Sequence, residues 1–468
     1  MRIKLGRPLL LKQIAQEAEC TLLFSEEDPC LTAVDHLSTD TREILPGDLF
    51  VALKTEKDDG NRYLAQAIKR GASGLLINRE AYSEELSGCL LIAENTWDAL
   101  KRFAVKQSEK IPHKTIAITG SVGKTTTRHL VATVLGEAFH VHESHENFNN
   151  LLGTCLTLLS MPYDTEYLVA EIGMDAPGQI SVMSHCLCPD IAVITGIGIS
   201  HLEKLKTVEA ICRAKLEILD GMKHKELFCP STEPLLCHLA PIPPHTYSAL
   251  DTGAEYHGEN IRNTASGIMF DLSSPFGKLT NITVPILSVS LLSGAVFAAT
   301  AGMRTGMSEE AIRRALARFR PLPLRQNVIP LGGILLLLDC YNASPDSMKA
   351  AGEAAEKLQE MTGGKIVALL GDMLELGEAS RSSHREIGTY LAGICKAIFC
   401  VGDFSAEYKK GAEFTGQCDV YSYPPETPKE KIVAEILPVL CRNDILLIKG
   451  SRADRMESYL PLLREQLL

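Results

Sequence analysis

A glycine-rich turn between an apolar stretch and a helical pattern is the part of this sequence whose chemistry is easiest to read. Residues 115–118 predict a short buried strand, and the apolar spacing after Lys124 predicts a helix. Free N–H groups at the start of a helix attract phosphate oxygens, and a lysine beside them adds a positive charge. In such loops the hydroxyl after the lysine, here Thr125, binds magnesium. We therefore expect a nucleotide polyphosphate on Gly120, Ser121, Val122, Gly123, Lys124, Thr125 and Thr126.

Two further side chains lie where strands of a parallel sheet are predicted to end. Glu171 stands alone among the apolar residues of 167–173, and burial of an unpaired carboxylate is costly. An acid on a strand near a phosphate-binding loop commonly holds magnesium, so Glu171 is a candidate metal ligand, with a structural ion pair as the alternative. His201 follows the predicted strand 191–197, at the edge where α/β sheets bind ligands, although a lone histidine is more often structural.

An amide-rich loop and an isolated lysine complete the polar positions of the middle of the chain. The loop carries asparagines at 147, 149 and 150. A buried amide needs hydrogen-bond partners, so the loop predicts either a polar wall of the site or a capped turn. The pattern of the helix predicted from Thr207 to about Met222 places Lys215 on its solvent face.

The composition limits what kind of protein these elements can build. A chain of 468 residues is too long for one hydrophobic core and predicts about three domains. It has no run of about 20 apolar residues, so we expect no membrane span. A net charge of −11 argues against nucleic-acid binding, which requires a basic surface. Fourteen cysteines without paired spacing are typical of reduced thiols, which predicts a cytoplasmic protein.

The end of the chain predicts a separate nucleotide-binding type of fold. Residues 323–468 alternate strands and helices, which is typical of a small doubly wound, Rossmann-like α/β sheet. Polar clusters follow four of the strands on one sheet edge, so a single cleft is expected there. The proline-rich stretch 320–325 breaks the helical pattern and marks a boundary. We predict three domains, with residues 1–110, 111–322 and 323–468.

The first of these domains offers one polar passage, Ser38-Thr-Asp-Thr-Arg42, shortly before a Pro46-Gly47 turn. Its hydroxyl groups and arginine could hold a diphosphate or the edge of a uracil. Equally, Asp40 and Arg42 could form a surface ion pair, which the residues alone favour.

Taken together, these motifs resemble the Mur ligase family of peptidoglycan synthesis. The resemblance covers almost the whole chain, and its pieces are Asp40-Thr-Arg42, Thr119-Gly-Ser-Val-Gly-Lys-Thr-Thr126, Asn147-Phe-Asn-Asn150, Glu171-Ile-Gly173, His201-Leu-Glu203, Ala214-Lys-Leu-Glu217, Asp339-Cys-Tyr-Asn-Ala-Ser-Pro-Asp-Ser-Met348, Gly371-Asp-Met-Leu-Glu-Leu-Gly377 and Lys449-Gly-Ser-Arg452. It implies an α/β fold with a UDP-sugar-binding domain, a central P-loop ATPase domain and a Rossmann-like ligase domain.

The resemblance also implies a reaction. In this family ATP phosphorylates a peptide carboxylate, and an amine attacks the resulting acyl phosphate. The last-domain motifs are similar to those of members that join D-alanyl-D-alanine to UDP-N-acetylmuramoyl-tripeptide, which we expect as the partners of a monomeric enzyme. A Mur-type ligase with a different amine is one alternative, and a non-catalytic homologue that binds a UDP-peptide is another.

The residue roles implied by the resemblance follow the family motifs. Carboxylate and ATP repel each other, so Lys124 and two Mg²⁺ ions are required. Thr125 and Glu171 would hold the first metal and His201 the second, supported by Lys215 in a CO2-derived carbamylated form. The catalytic residues would be Lys124, Glu171, His201 and Lys215. Besides the phosphate-binding loop, the nucleotide would contact Asn147, Asn150, Arg325, Asp339 and Asn342. The other substrates would contact Asp40, Thr41, Arg42, Tyr341 and Lys449.

One stretch departs from the family pattern. Relatives carry Gly-x-His-Asn-x-x-Asn before a helix of small residues, where this chain has Ser288-Val-Ser-Leu-Leu-Ser-Gly294. Those family residues help to hold the adenine side of ATP, so the resemblance predicts altered contacts to the base and unaltered phosphate chemistry.

Overall fold

The computed structural model describes residues 1–24, 33–145, 147–198, 202–413, 416 and 418–467, with the side chains of 202 and 203 excepted. Within them the chain forms three sheets of six, nine and six strands in sequence order. One sheet lies in each of the three predicted domains, and the boundaries near 110 and 322 stand as proposals. No described helix is long and apolar enough to cross a bilayer.

The first sheet has the strand order β1-β3-β4-β5-β6-β2. Its four middle strands are parallel, and an antiparallel strand closes each edge. The strands are β1 (Arg2–Leu10), β2 (Thr21–Leu23), β3 (Ala33–Ser38), β4 (Leu49–Val51), β5 (Gly74–Asn78) and β6 (Cys89–Ala93), and the helices are α1 (Leu11–Ala18), α2 (Leu64–Lys69) and α3 (Thr96–Ser108).

The second sheet has the order β15-β14-β13-β12-β11-β10-β7-β9-β8, parallel from β8 to β13 and antiparallel beyond. The strands are β7 (Lys114–Thr119), β8 (Val141–Glu143), β9 (Tyr167–Glu171), β10 (Ile191–Ile194), β11 (Leu227–Pro230), β12 (His245–Ser248), β13 (Tyr256–Thr264), β14 (Gly267–Ser274) and β15 (Gly277–Val284). The helices are α4 (Lys124–Leu135), α5 (Leu151–Ser160), α6 (Gln179–Leu187), α7 (Leu202–Leu205), α8 (Val208–Leu216), α9 (Pro234–Leu239), α10 (Leu292–Arg304) and α11 (Glu309–Arg318).

The third sheet has the order β16-β17-β21-β18-β19-β20 and is parallel except for the edge strand β16. This confirms the α/β fold with a Rossmann-like last unit. The strands are β16 (Asn327–Leu331), β17 (Ile334–Leu338), β18 (Ile366–Leu370), β19 (Cys395–Val401), β20 (Asp419–Tyr423) and β21 (Ile445–Lys449), and the helices are α12 (Pro345–Thr362), α13 (Ser380–Ala392), α14 (Ser405–Ala412), α15 (Lys429–Ile436) and α16 (Tyr459–Leu467).

The hydrophobic cores show how these units are joined. One continuous apolar cluster runs from Ile3 in β1 through α3 and α5 to Leu236 in α9, so the first two sheets share a core. The third sheet has its own cluster on each face, because alternate residues of its strands point to opposite sides. In the cleft between the second and third units, Ile286 and Phe319 belong to a separate cluster of the second unit, whereas Leu287 packs against a cluster of the third sheet.

Candidate active site

The turn after β7 has the geometry of a phosphate-binding loop. Gly120 and Gly123 have φ values of 149° and 84°, which glycine adopts without strain. A Cβ on Gly120 would lie 2.0 Å from Thr195 Oγ1, so only glycine lets the loop pass the end of β10 so closely. The first N–H groups of α4 have no partners within the helix and are available to an anion.

Lys124 lies folded over this loop. Its Nζ donates to the carbonyl oxygen of Gly120 at 2.8 Å and contacts that of Ser121 at 3.5 Å. Burial lowers the pKa of Lys124, and the nearby Arg325 lowers it further, while Glu171 acts against both. An additional anion at the loop would stabilise the charged lysine, which is what a nucleotide phosphate supplies.

Glu171 ends β9, directly beside the loop, because β9 and β7 are parallel neighbours with Glu171 opposite Ile118. Its side chain is 2% exposed. Oε1 accepts a hydrogen bond from Asn149 Nδ2 at 3.0 Å, whereas Oε2 has no hydrogen-bond partner within the described part of the chain. A buried carboxylate oxygen without a donor is expensive and suits a divalent cation, so the residues fit the expected magnesium ion.

The last unit contributes an arginine to the same place. Arg325 Nη2 donates to Thr125 Oγ1 at 2.8 Å, and its guanidinium group lies 4.1 Å from the ring centre of Tyr341. The Thr125 side chain, 5% exposed, thus faces a cation of another unit. The hydrogen bond joins the arginine to the phosphate-binding loop, and the stacking contact with Tyr341 of its own unit orients the guanidinium group.

Lys449, at the end of β21, organises the loop that follows the neighbouring strand β17. Its Nζ donates to Asp339 Oδ2 at 2.8 Å, to the Asp339 carbonyl at 3.1 Å and to the Asn342 carbonyl at 3.0 Å. All three protons of the ammonium group have acceptors within the protein. Lys449 is 1% exposed, so in this structure it positions the loop that carries Asp339 and Asn342 and does not face the cavity with a free ammonium group.

A single cavity brings most of these groups together. One wall is the phosphate-binding loop with Glu171, and the facing wall comes from the last unit. An apolar side is formed by Pro285, Ile286, Leu287, Phe319, Pro321 and Leu322. The predicted site residues that line it are Ser121, Val122, Gly123, Lys124, Thr125, Thr126, Glu171, Arg325, Asp339, Tyr341, Asn342 and Lys449.

The amide loop contributes a residue outside the predicted set. Asn147 and Asn150 are exposed, and Asn150 caps α5 by accepting from the Gly153 N–H at 2.8 Å. Asn149 is the amide that reaches Glu171 and lines the cavity. The requirement that a buried amide find partners pointed to this loop and could not choose among its three asparagines.

The remaining predicted positions lie apart from this cavity lining or beyond the described residues. His201 belongs to the residues that the structure does not describe, so its metal role stays a prediction. Lys215 is 2% exposed, and the prediction of a solvent-facing side chain is wrong. Burial, and then the charge of Lys124, lower its pKa well below the usual range. The neutral amine is the form that reacts with CO2, so this environment fits a carbamate.

Two of the three predicted substrate residues of the first unit, Asp40 and Arg42, form an ion pair. Arg42 Nη2 lies 2.6 Å from Asp40 Oδ2 and holds the pKa of that carboxyl down to about 2, chiefly through the side-chain hydrogen bond. Thr41 Oγ1 donates to Gln66 Oε1 at 2.8 Å. The Arg42 side chain is 83% exposed, so it is accessible to a ligand of the first unit.

Together, the fold and this cavity define a P-loop enzyme that uses a nucleotide in a cleft between two units. Two family models match the chain: the Mur ligase middle domain over residues 118–302, and the "Mur ligase, glutamate ligase domain" over residues 324–452. The chain belongs to the Mur ligase family.

Full-length relatives agree with this assignment. The UDP-N-acetylmuramoyl-tripeptide–D-alanyl-D-alanine ligase of Bacillus subtilis (strain 168) is 32% identical over 450 residues, which cover 96% of this chain and 96% of the relative. A crystal structure of MurF from Acinetobacter baumannii superposes with a TM-score of 0.87 at 25% identity, over 99% of this chain and 100% of that one. MurF from Thermotoga maritima in complex with ADP gives a TM-score of 0.77 at 25% identity, over 92% and 97%.

We expect Lys449→Met to lower the free energy of unfolding by about 3 kcal/mol, because it leaves the carboxylate of Asp339 without its buried partner. The loop that carries Asp339 and Asn342 should then loosen and raise KM for the nucleotide. Denaturant titration and steady-state kinetics would measure both effects. The matched control is Lys396→Met, which removes a 2.5 Å ion pair with Asp444 in the same sheet and should leave KM unchanged. An unchanged KM in Lys449→Met would contradict the positioning role.

Proposed function

We propose that this protein joins D-alanyl-D-alanine to UDP-N-acetylmuramoyl-tripeptide at the expense of ATP, through an acyl phosphate, as a monomer in the cytoplasm. The observation that carries the proposal is the cavity in which Lys124 and the partly unpaired Glu171 face Arg325 of the last unit. The full-length similarity to ligases named for this reaction supports the choice of substrates.

The chain's own residues supply what the first step demands. A carboxylate must approach a triphosphate, and two anions repel each other unless cations lie between them. Lys124 lies over the phosphate-binding loop and Arg325 reaches the same loop from the opposite wall, so both are placed to offset this repulsion. Bound magnesium would add further positive charge, with Thr125, Glu171, His201 and a carbamylated Lys215 as the proposed residues around it.

The second step needs protection from water. An acyl phosphate hydrolyses unless the amine reaches it first, so the site must exclude solvent during turnover. The cores of the two units are separate apart from the packing of Leu287 on the last unit, so we expect the last unit to move as a body and cover the intermediate. On the cavity wall from the last unit, Tyr341 is the proposed substrate contact and Asn342 the proposed nucleotide contact, and both lie on the loop that Lys449 holds.

The test is the dependence of phosphate release on both substrates. We expect inorganic phosphate from ATP only when UDP-N-acetylmuramoyl-tripeptide and D-alanyl-D-alanine are present together, with a product mass equal to their sum less one water. Equal phosphate release with a single amino acid in place of the dipeptide would show a Mur-type ligase with a different amine. Nucleotide binding without any release would show a non-catalytic homologue.

The proposed carbamate makes a separate prediction. Lys215→Ala should lose most of the ligase activity, and short carboxylates such as formate or acetate should restore part of it by taking the place of the carbamate anion. The measurement is phosphate release with increasing carboxylate, at fixed ionic strength. Arg213→Ala is the matched control, because this side chain lies on the same helix but is 63% exposed. Full activity of Lys215→Ala without added carboxylate would rule out the carbamate role.

A further inference from the structure

The stretch that departs from the family pattern has its first hydroxyl group engaged elsewhere. Ser288 is fully buried, and its Oγ donates to Glu353 Oε2 of α12 at 2.7 Å. This contact joins the middle unit to the last one and occupies the hydroxyl. The side chains of 288–294 are serines, leucines, a valine and a glycine, so none of them offers an amide to a nucleotide base.

An amide does lie in the cavity, at Gln326. The side chain lines the cavity and is 9% exposed. Its backbone has a left-handed φ of 49°, and its N–H donates to Asp339 Oδ1 at 3.3 Å. A side-chain amide held in a sparsely populated backbone conformation next to a ligand cavity is a candidate for a functional role.

The orientation of the Gln326 amide follows from its one partner. Nε2 contacts the carbonyl oxygen of Ala350 at 3.4 Å, and a carbonyl can only accept, so the nitrogen must face Ala350. Oε1 then points the other way, where no described residue donates to it. A buried acceptor without a donor is costly unless something supplies one.

The surroundings indicate which part of a nucleotide comes close. Ala350 and Leu291 line both this cavity and a second one, as do Ser121, Val122, Gly123 and Thr126, so Gln326 lies beside a junction that the phosphate-binding loop also borders. Apolar side chains form the adjoining wall, among them Ile286, Leu287 and Phe319. A flat aromatic base suits an apolar wall, and a phosphate oxygen cannot satisfy Oε1, because both are acceptors.

We propose that Gln326 selects the nucleotide base, with its Oε1 accepting a hydrogen bond from the 6-amino group of adenine. Hypoxanthine and guanine carry an oxygen at this position, and two acceptors facing each other repel. A ribose hydroxyl could also donate to Oε1, but this contact would not distinguish adenine from the other bases, since all nucleotides carry the same ribose. Oε1 is shielded from water, so its surroundings must open locally for the base to reach it. The assignment rests on the proposed use of ATP.

The experiment is a calorimetric titration of the full-length protein with ADP, IDP and 2′-deoxyADP in the presence of Mg²⁺. IDP differs from ADP in the 6-position group and the protonation of N1, and 2′-deoxyADP differs only in the ribose. We expect the wild type to bind ADP about tenfold or more tightly than IDP, and 2′-deoxyADP nearly as tightly as ADP. Gln326→Leu should weaken ADP about tenfold and bring the ADP-to-IDP ratio close to one.

The control is Gln359→Leu, since this glutamine also donates its amide to a backbone carbonyl, that of Gly364, outside the cavity lining. It should keep the wild-type ratio. Equal affinity of the wild type for ADP and IDP would overturn the proposal, even if Gln326→Leu failed to fold. A loss confined to 2′-deoxyADP would overturn it in favour of a ribose contact. This experiment separates the two proposals. A protein that binds ADP more tightly than IDP but releases no phosphate would contradict the proposed ligation and would leave the role of Gln326 intact.

Discussion

Lys124→Met should reduce the rate of phosphate release about a thousandfold, which is the size of effect seen when a cation or donor on the reacting phosphoryl group is removed. The physical reason is the repulsion between the carboxylate and the triphosphate. Lys124 is the cation inside the phosphate-binding loop, where burial keeps the surrounding dielectric low and strengthens its interaction with charge. Steady-state phosphate release with both substrates measures the effect.

The fold should survive this change. Burial lowers the pKa of Lys124, so the charged amine is disfavoured in the absence of an anion, and methionine removes that cost while keeping most of the apolar stem. We expect the unfolding midpoint to stay within a few degrees of the wild type. Lys114→Met, an exposed lysine at the start of the same β7, is the control and should retain full activity. Activity of Lys124→Met near the wild-type level would contradict the proposed phosphate role.

The parts of the site that were predictable are those encoded locally. The strand, glycine turn and helix from 114 to 135 follow from short-range patterns. The four strands that the sequence predicts in the last unit, at 334–339, 365–370, 397–401 and 444–448, are confirmed as β17, β18, β19 and β21. Each is a run of apolar residues buried on both faces of a parallel sheet, which is the clearest strand signal a sequence carries.

The parts that were missed depend on tertiary contacts or on edge positions. Strand β16 contains Pro330, and a proline argues against a strand unless the strand lies at an edge, as this one does. Lys215 was expected on the solvent face, whereas its neighbours one helical turn away, Ile211, Cys212, Ile218 and Leu219, are apolar and buried together with it. The contact between Arg325 and Thr125 joins residues 200 positions apart, which no local pattern encodes.

The role of Glu171 follows partly from a local sequence pattern and partly from tertiary contacts. Its isolation among apolar residues is visible in the sequence, and the register of β9 against β7 places it beside the phosphate-binding loop. What the structure adds is the asymmetry of the carboxylate, with Oε1 fixed by Asn149 and Oε2 without a donor among the described residues. A structural ion pair, the alternative from the sequence, would have engaged both oxygens with a cationic side chain.

This asymmetry leads to the second large effect, that of Glu171→Gln. The amide keeps the size of the side chain and an oxygen for Asn149 Nδ2, but it carries no charge for a divalent ion. We expect the Mg²⁺ concentration for half-maximal activity to rise at least about tenfold and the rate to fall about a hundredfold or more. Stability should not fall, because the variant no longer buries a carboxylate that lacks a full set of donors.

Phosphate release as a function of Mg²⁺ concentration measures the kinetic effect, and calorimetric titration of the protein with ADP at several Mg²⁺ concentrations measures binding apart from turnover. Glu166→Gln is the control, because this exposed glutamate lies just before the same strand and contacts only the His140 N–H among its side-chain hydrogen bonds within the described chain. It should keep the wild-type magnesium dependence. A wild-type magnesium dependence in Glu171→Gln would place the metal elsewhere, and would leave the free oxygen of Glu171 to be explained by a ligand donor instead.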